Sequence, residues 1–193
     1  MTETMAQKSD ELIRKAQKGD NKAFQELVLL YDSKVLNLAF KMLGNRQDAE
    51  DIYQEVFMRV YHHIKNFRFE SAFETWLYRI VVNTAINYRK MRNKYLNRTW
   101  VPENYDDEAP WTPLDDQPLP DELTMNQEIQ TQIQAAMENL TFIQRSVFVL
   151  KFYQDFKIRE IAEIVNCSEG TIKNTLFRAS QKMRRSLIQY IRE

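Results

Sequence analysis

Two stretches of the chain carry residue types suited to nucleic acid. Over 67–94, FRFESAFETWLYRIVVNTAINYRKMRNK, the residues Trp76, Arg79, Asn83, Asn87, Lys90 and Lys94 recur at three- and four-residue steps. On a helix they share one face, made of cations, amides and one large aromatic ring, with no carboxylate. Cations suit phosphates, amides suit base edges, and an aromatic ring can stack on or wedge beside a base. Phe73, Leu77, Ile80, Thr84, Tyr88 and Met91 follow the same rhythm and are expected to face a core. Ser71, with Glu74 three residues on, has the spacing of a capping box for this helix.

The second stretch is 157–185. A short amphipathic helix over 157–165 is followed by Asn166-Cys167-Ser168, a turn with Ser168 as N-cap, and a longer helix from Glu169. That is the outline of a helix-turn-helix, with an ordinary helical hairpin as the alternative reading. Its second helix would present Lys173, Asn174, Phe177, Arg178, Gln181 and Lys182 outward, and Ile172, Leu176, Ala179 and Met183 inward. Lysine and arginine reach guanine edges or phosphates, and asparagine pairs with adenine.

A third group has the opposite character. Asp48, Asp51, Gln54 and Glu55 gather on the polar side of a helix over 48–64. The helix dipole accounts for acids in a first turn but not for Glu55. Such a patch suits a basic protein surface. Residues for catalysis are not gathered in the same way. His62 and His63 are adjacent, so a helix points them apart, and Cys167 is the only cysteine. No zinc-type spacing, glycine-rich phosphate loop or nucleophile elbow occurs, so neither metal nor cofactor is expected and the chain is not read as an enzyme.

The elements that must position these residues are helical. Helices are expected over 10–18, 22–43, 48–64 and through the stretch after 67, then over 122–139, 142–153, 157–165 and 169–191. Thr141 with Gln144 forms a second capping-box pattern. All five prolines lie between Pro102 and Pro120, among Asp106, Asp107, Glu108, Asp115 and Asp116. Proline at that density blocks helices and ladders, and the carboxylates repel one another. The chain thus reads as all-α, with two small helical domains, 10–96 and 122–193, joined by a flexible, acidic, proline-rich linker over 97–121.

The 193 residues have zero net charge, but unevenly: +5 over 1–100, −10 over 101–140 and +5 over 141–193. A neutral total therefore does not exclude nucleic acid as a partner. No apolar run of membrane-spanning length and no signal peptide are seen, which points to a cytoplasmic protein without membrane insertion.

These pieces together resemble the extracytoplasmic-function (group four) sigma factors of bacterial RNA polymerase. The resemblance rests on LIRKAQKGDNKAFQELVLLY (12–31), DAEDIYQEVFMRVY (48–61), FRFESAFETWLYRIVVNTAINYRK (67–90) and EIAEIVNCSEGTIKNTLFRA (160–179), in the family's order around an acidic linker. It implies a sigma-two domain that melts the promoter's minus-ten element and a sigma-four helix-turn-helix domain that reads the minus-thirty-five element. Asp48, Asp51, Gln54 and Glu55 match positions that grip the beta-prime clamp helices of core polymerase, whose beta flap is a second implied contact. Phe67 and Asn83 match positions lining a pocket for an unstacked, flipped minus-ten base. Trp76 and Arg79 flank the melting surface, which Asn87 and Lys90 extend. Lys173, Asn174, Phe177 and Arg178 match positions facing minus-thirty-five DNA. The linker would thread the polymerase cleft, and an anti-sigma factor is the implied regulator. Two departures stand out: Phe69 and Glu70 replace a frequent glycine and aspartate, and Thr175 and Ser180 replace frequent arginines. A repressor that binds duplex alone would leave the Trp76–Asn83 face and the linker without a role. A small nuclease would need a carboxylate cluster for metal, which the sequence lacks.

Overall fold

A computed structural model describes residues 2–95 and 127–191, with side chains placed within 6–92 and 131–188. Among the described residues every regular element is helical: α1 (Thr2–Gln17), α2 (Asn21–Leu43), α3 (Arg46–His63) with a 3-10 turn (Ile64–Asn66), α4 (Phe73–Tyr95), α5 (Gln127–Glu138), α6 (Phe142–Phe152), α7 (Ile158–Val165) and α8 (Glu169–Ile191). The linker expected over 97–121, and the start of the helix expected from 122, lie outside the described residues.

Local chemistry sets most boundaries. Gly19 (φ +93°) and Gly44 (φ +66°) close α1 and α2 in the left-handed region that glycine enters without a Cβ penalty. Asp20 caps α2 through Lys22 N and Ala23 N, and Asn45 caps α3 through Asp48 N. The Thr141–Gln144 box forms in both directions, at 3.3 and 3.2 Å. Ser168 Oγ accepts from Thr171 N at 3.1 Å, opening α8.

Three expectations change. α1 starts at Thr2 rather than residue 10, because its early turns carry no apolar stripe to announce them. α4 starts at Phe73, and the Ser71–Glu74 box is replaced by a tertiary arrangement: Glu74 Oε1 accepts from Lys34 at 2.9 Å and Tyr78 at 3.0 Å. Met91, expected in the core, is 59% exposed, while Tyr78, Val81, Val82 and Ala85 are buried. The buried arc of α4 is therefore rotated and widened, because α7 covers part of it in addition to α2 and α3.

α1 to α4 bury one apolar cluster that includes Ile13, Leu27, Leu38, Ile52, Val56 and Leu77. α5, α6, α7 and α8 add Met137, Leu150, Ile161, Ile164 and Ala179 to the same cluster. The two units touch. α4 lies against α7, where the Tyr78 and Phe156 rings are 5.7 Å apart, and α2 lies against α6. At the second contact Arg145, wholly buried, donates from Nε to the Lys41 carbonyl at 2.5 Å.

Candidate nucleic-acid interface

α4 is held by its buried arc, and this fixes what its other face offers. Asn83, Asn87 and Lys90 are exposed, and Trp76 and Arg79 are partly covered. Lys94 lies where no side chain is described. Trp76 leans on an aromatic group at the head of the helix: Phe67–Trp76 5.3 Å, Phe73–Trp76 5.5 Å and Phe67–Phe73 5.5 Å between ring centres. Such offset and edge contacts suit the ring quadrupoles. Phe67 itself is buried at the floor of this group. Asn83 lies two turns along α4 from Trp76, so the face runs from an aromatic end to an amide and cationic end.

Phe69 joins the group, 4.8 Å from Phe67, although its φ of +59° is one that side chains with a Cβ rarely adopt. The phenylalanine in place of a frequent glycine was the sequence signal for this. The Arg14 guanidinium lies 4.4 Å above the Phe69 ring, and Gln17 donates to the Ile64 and Phe67 carbonyls. Arg79 faces Glu163 of α7 at 3.5 Å. No sequence signal marked Glu163, because the pairing depends on how the two units dock.

The four residues on α3 divide. Asp51 and Gln54 are exposed, and Glu55 is half-covered and paired with Arg59 at 2.6 Å. Asp48 turns inward: it accepts from Tyr88 at 2.7 Å and pairs with Arg92. Burial, then the hydrogen bond to Asp48, pushes the Tyr88 hydroxyl up to about 12. Asp48 thus bolts α3 to α4, two helices whose outer faces carry different proposed contacts.

On α8, Lys173, Asn174, Phe177 and Arg178 are all exposed on one side, with Phe177 at 61%. Ile172, Ala179 and Met183 are buried. Thr175 is buried as well, so it faces the interior of the second unit rather than the solvent face. Lys157 N donates to Glu160 at 2.8 Å and Asn166 ends α7 in the left-handed conformation, which sets the turn before α8. Among the described residues no group of acidic, histidine and cysteine side chains could hold a metal ion, and no helix is long and apolar enough to cross a membrane.

Helices of this arrangement define a class. Residues 27–95 match the model of sigma-70 region 2, and residues 130–183 match that of sigma-70 region 4. The chain belongs to the sigma-70 family of RNA polymerase sigma factors, and within it to the extracytoplasmic-function group. It is 35% identical to the ECF RNA polymerase sigma factor SigW of Bacillus subtilis over 91% of this chain and 94% of that one. It is 31% identical to the RNA polymerase sigma-H factor of Pseudomonas aeruginosa over 97% of each. Against the ECF sigma-E factor of Escherichia coli K12 the identity is 33%, over 88% and 89%. The fold is shared with the sigma factor RpoE of Bartonella quintana, solved in complex with the anti-sigma factor NepR, at TM-score 0.64 and 21% identity over 86% of this chain and 97% of that one. It is shared as well with CnrH in complex with the cytosolic domain of CnrY, at TM-score 0.62 and 20% identity over 94% and 98%. The protein directs promoter-specific initiation of transcription by RNA polymerase.

Proposed function

We propose that the two outward faces divide promoter recognition between them. The α4 face, with Trp76, Arg79, Asn83, Asn87 and Lys90 and the loop carrying Phe67, captures the melted minus-ten strand. The α8 face, with Lys173, Asn174, Phe177 and Arg178, reads the minus-thirty-five duplex. The observation that carries this division is the composition of the two faces: each set joins cations, asparagine and an aromatic ring, without a carboxylate among them. A helix with such a face suits a major groove, and aromatic rings beside amides suit unstacked bases. Extruding a base costs a few kcal/mol, which stacking and hydrogen bonds must return.

Asp51, Gln54 and Glu55 meet the clamp helices of core polymerase, and Asp48 contributes by fixing α3 against α4. The second unit meets the flap of the beta subunit, and the segment over 97–121 spans the cleft between. The protein acts in the cytoplasm without catalysis of its own. A protein of the anti-sigma kind, as in the NepR complex of the similar RpoE, holds it inactive.

Transcription in vitro tests this, with purified core polymerase and a promoter library. Start sites that appear only when the protein is added, with preferences at both elements, are expected. A protein that shifts promoter duplex unaided and never co-purifies with core polymerase would instead be a duplex-binding repressor.

A further inference from the structure

We propose that Gln17 and Arg14, on the last turns of α1, are positioning residues for the loop that captures the minus-ten base. This rests on the role given above to α4 and the loop before it. Both residues precede the stretch matched to sigma-70 region 2, which begins at residue 27.

The loop between α3 and α4 has little regular structure of its own. After the 3-10 turn it is bounded by the Phe67 N to Ile64 carbonyl bond of 3.1 Å, and α4 begins only at Phe73. Two of its carbonyls find a partner across the molecule. Gln17 Nε2 donates to the Ile64 carbonyl at 3.0 Å and to the Phe67 carbonyl at 2.8 Å. A carboxamide nitrogen carries two hydrogens, so one uncharged group ties down both ends of the turn that carries Phe67.

Arg14 lies three residues earlier, on the same face of α1. Its guanidinium sits 4.4 Å above the Phe69 ring, which also packs against the Phe67 ring at 4.8 Å. Phe69 holds a left-handed φ of +59°. A residue with a Cβ stays there only when its surroundings fix it, and such strain gathers at functional sites. Arg14 and Phe67 are among those surroundings.

α1 is firm enough to serve as the anchor. Leu12 and Ile13 are buried, the Ser9 hydroxyl bonds the Tyr31 hydroxyl at 3.1 Å, and Gly19 with Asp20 fixes the corner into α2. The aromatic wall around Phe67 is thereby formed before any base arrives. A base that meets a preformed wall is spared the entropy of ordering the loop, and a base of the wrong shape cannot remodel it. Gln17 and Arg14 therefore govern discrimination at the captured base, not affinity for polymerase.

The test uses the full chain with purified core polymerase. Gln17→Met keeps length and removes both donors. Arg14→Gln removes the cation, and Arg14→Lys keeps it. The readouts are hydrogen exchange of amides 64–70 in the free protein, and the ratio of open complexes on promoters with the preferred and a substituted minus-ten base. Gln17→Met is expected to speed exchange at 64–70 and to lower the ratio about five- to tenfold, the equivalent of one or two weak hydrogen bonds. Melting temperature falls by a few degrees, as the loss of the two Gln17 hydrogen bonds requires, while core affinity stays at the parent's value. Arg14→Gln lowers the ratio likewise, and Arg14→Lys largely restores it. A parent that discriminates at minus-ten while Gln17→Met discriminates equally well overturns the positioning role alone. A parent with no minus-ten preference overturns the assigned role of the loop, and this inference with it.

Discussion

Arg79 on α4 and Glu163 on α7 meet at 3.5 Å, so a carboxylate of the second unit occupies a cation of the face proposed to hold melted DNA. Glu163 also accepts from Arg159 at 3.3 Å, which places it between two guanidinium groups. Beside it the Tyr78–Phe156 contact closes the same junction. In this arrangement α7 packs against α4 beside the face proposed to hold the melted strand.

Glu163→Gln keeps the shape and removes the charge. Both partners are about half exposed, with side-chain exposures of 43% and 50%. Exposed pairs of this kind contribute about 0–1 kcal/mol, so the melting temperature should barely move. The free protein should bind a single-stranded minus-ten oligonucleotide about two- to fivefold more tightly, with the gain fading as salt screens Arg79. Fluorescence anisotropy at low and high salt reads both effects. Equal affinities for parent and variant would place Arg79 off the path of the strand.

Arg145 secures the junction at its other end. The last turn of α2 leaves carbonyls without intrahelical donors, and the Arg145 guanidinium reaches one of them, at Lys41, from the second unit. The negative end of the α2 dipole favours the charge. Burial lowers its pKa to about 10, which still leaves it charged at neutral pH. Arg145→Ala should cost about 2–3 kcal/mol, from the lost charged hydrogen bond and the space left behind. Arg145→Met should cost less, since it fills the space without burying a charge. Urea unfolding measures the loss, and small-angle scattering should show a larger radius of gyration for the alanine variant. An alanine variant as stable and as compact as the parent would show that the units are not held there.

How much of this was legible in the sequence followed the range of each interaction. The Thr141–Gln144 box, the Ser168 cap and the turn at Asn166 depend on neighbours within a few residues, and each formed as its spacing indicated. The outward sides of α4 and α8 were legible because helical periodicity separates polar from apolar positions. Long-range partners were not. Glu74 fits a capping box by spacing, yet Lys34, 40 residues away, takes its carboxylate. Asp48 looks like a surface acid in a first turn, but Tyr88 and Arg92 draw it inward. Arg145 and Glu163 look like solvated charges on amphipathic helices until the units dock.

The Asp48–Tyr88 bond has a pH signature. The Tyr88 pKa is raised to about 12 in the fold, from an ordinary value of 10. A group whose folded pKa is raised contributes stability that is fully present below the unfolded value and is lost as pH climbs toward the folded one. Stability should therefore decline between about pH 10 and pH 12. Burial raises the Tyr31 and Tyr78 hydroxyls too, so they contribute in the same direction. Tyr88→Phe should lose about 1 kcal/mol at pH 8, where the hydrogen bond is intact, and should show a shallower decline above pH 10. Denaturant midpoints across that range decide it. A decline as steep in Tyr88→Phe as in the parent would assign the effect to the other tyrosines.

Asn83 and Arg178 lie on different units, so substituting each should separate the two halves of promoter recognition. Asn83 is exposed on α4 and offers both a donor and an acceptor to a base edge. Asn83→Ala should impair promoter opening while leaving core binding and the minus-thirty-five footprint intact. Arg178 is exposed on α8 beside Phe177. Arg178→Ala should weaken binding to minus-thirty-five DNA by about 1–3 kcal/mol if it reads a base. A phosphate contact would instead weaken all sequences alike and reduce the salt slope by about one. Permanganate footprinting of the opened strand and titrations with duplex variants measure the two steps. Parallel loss of opening and core binding in Asn83→Ala would mean that Asn83 supports the fold or the polymerase contact. An unchanged minus-thirty-five affinity in Arg178→Ala would move the reading of that element to Lys173 and Asn174.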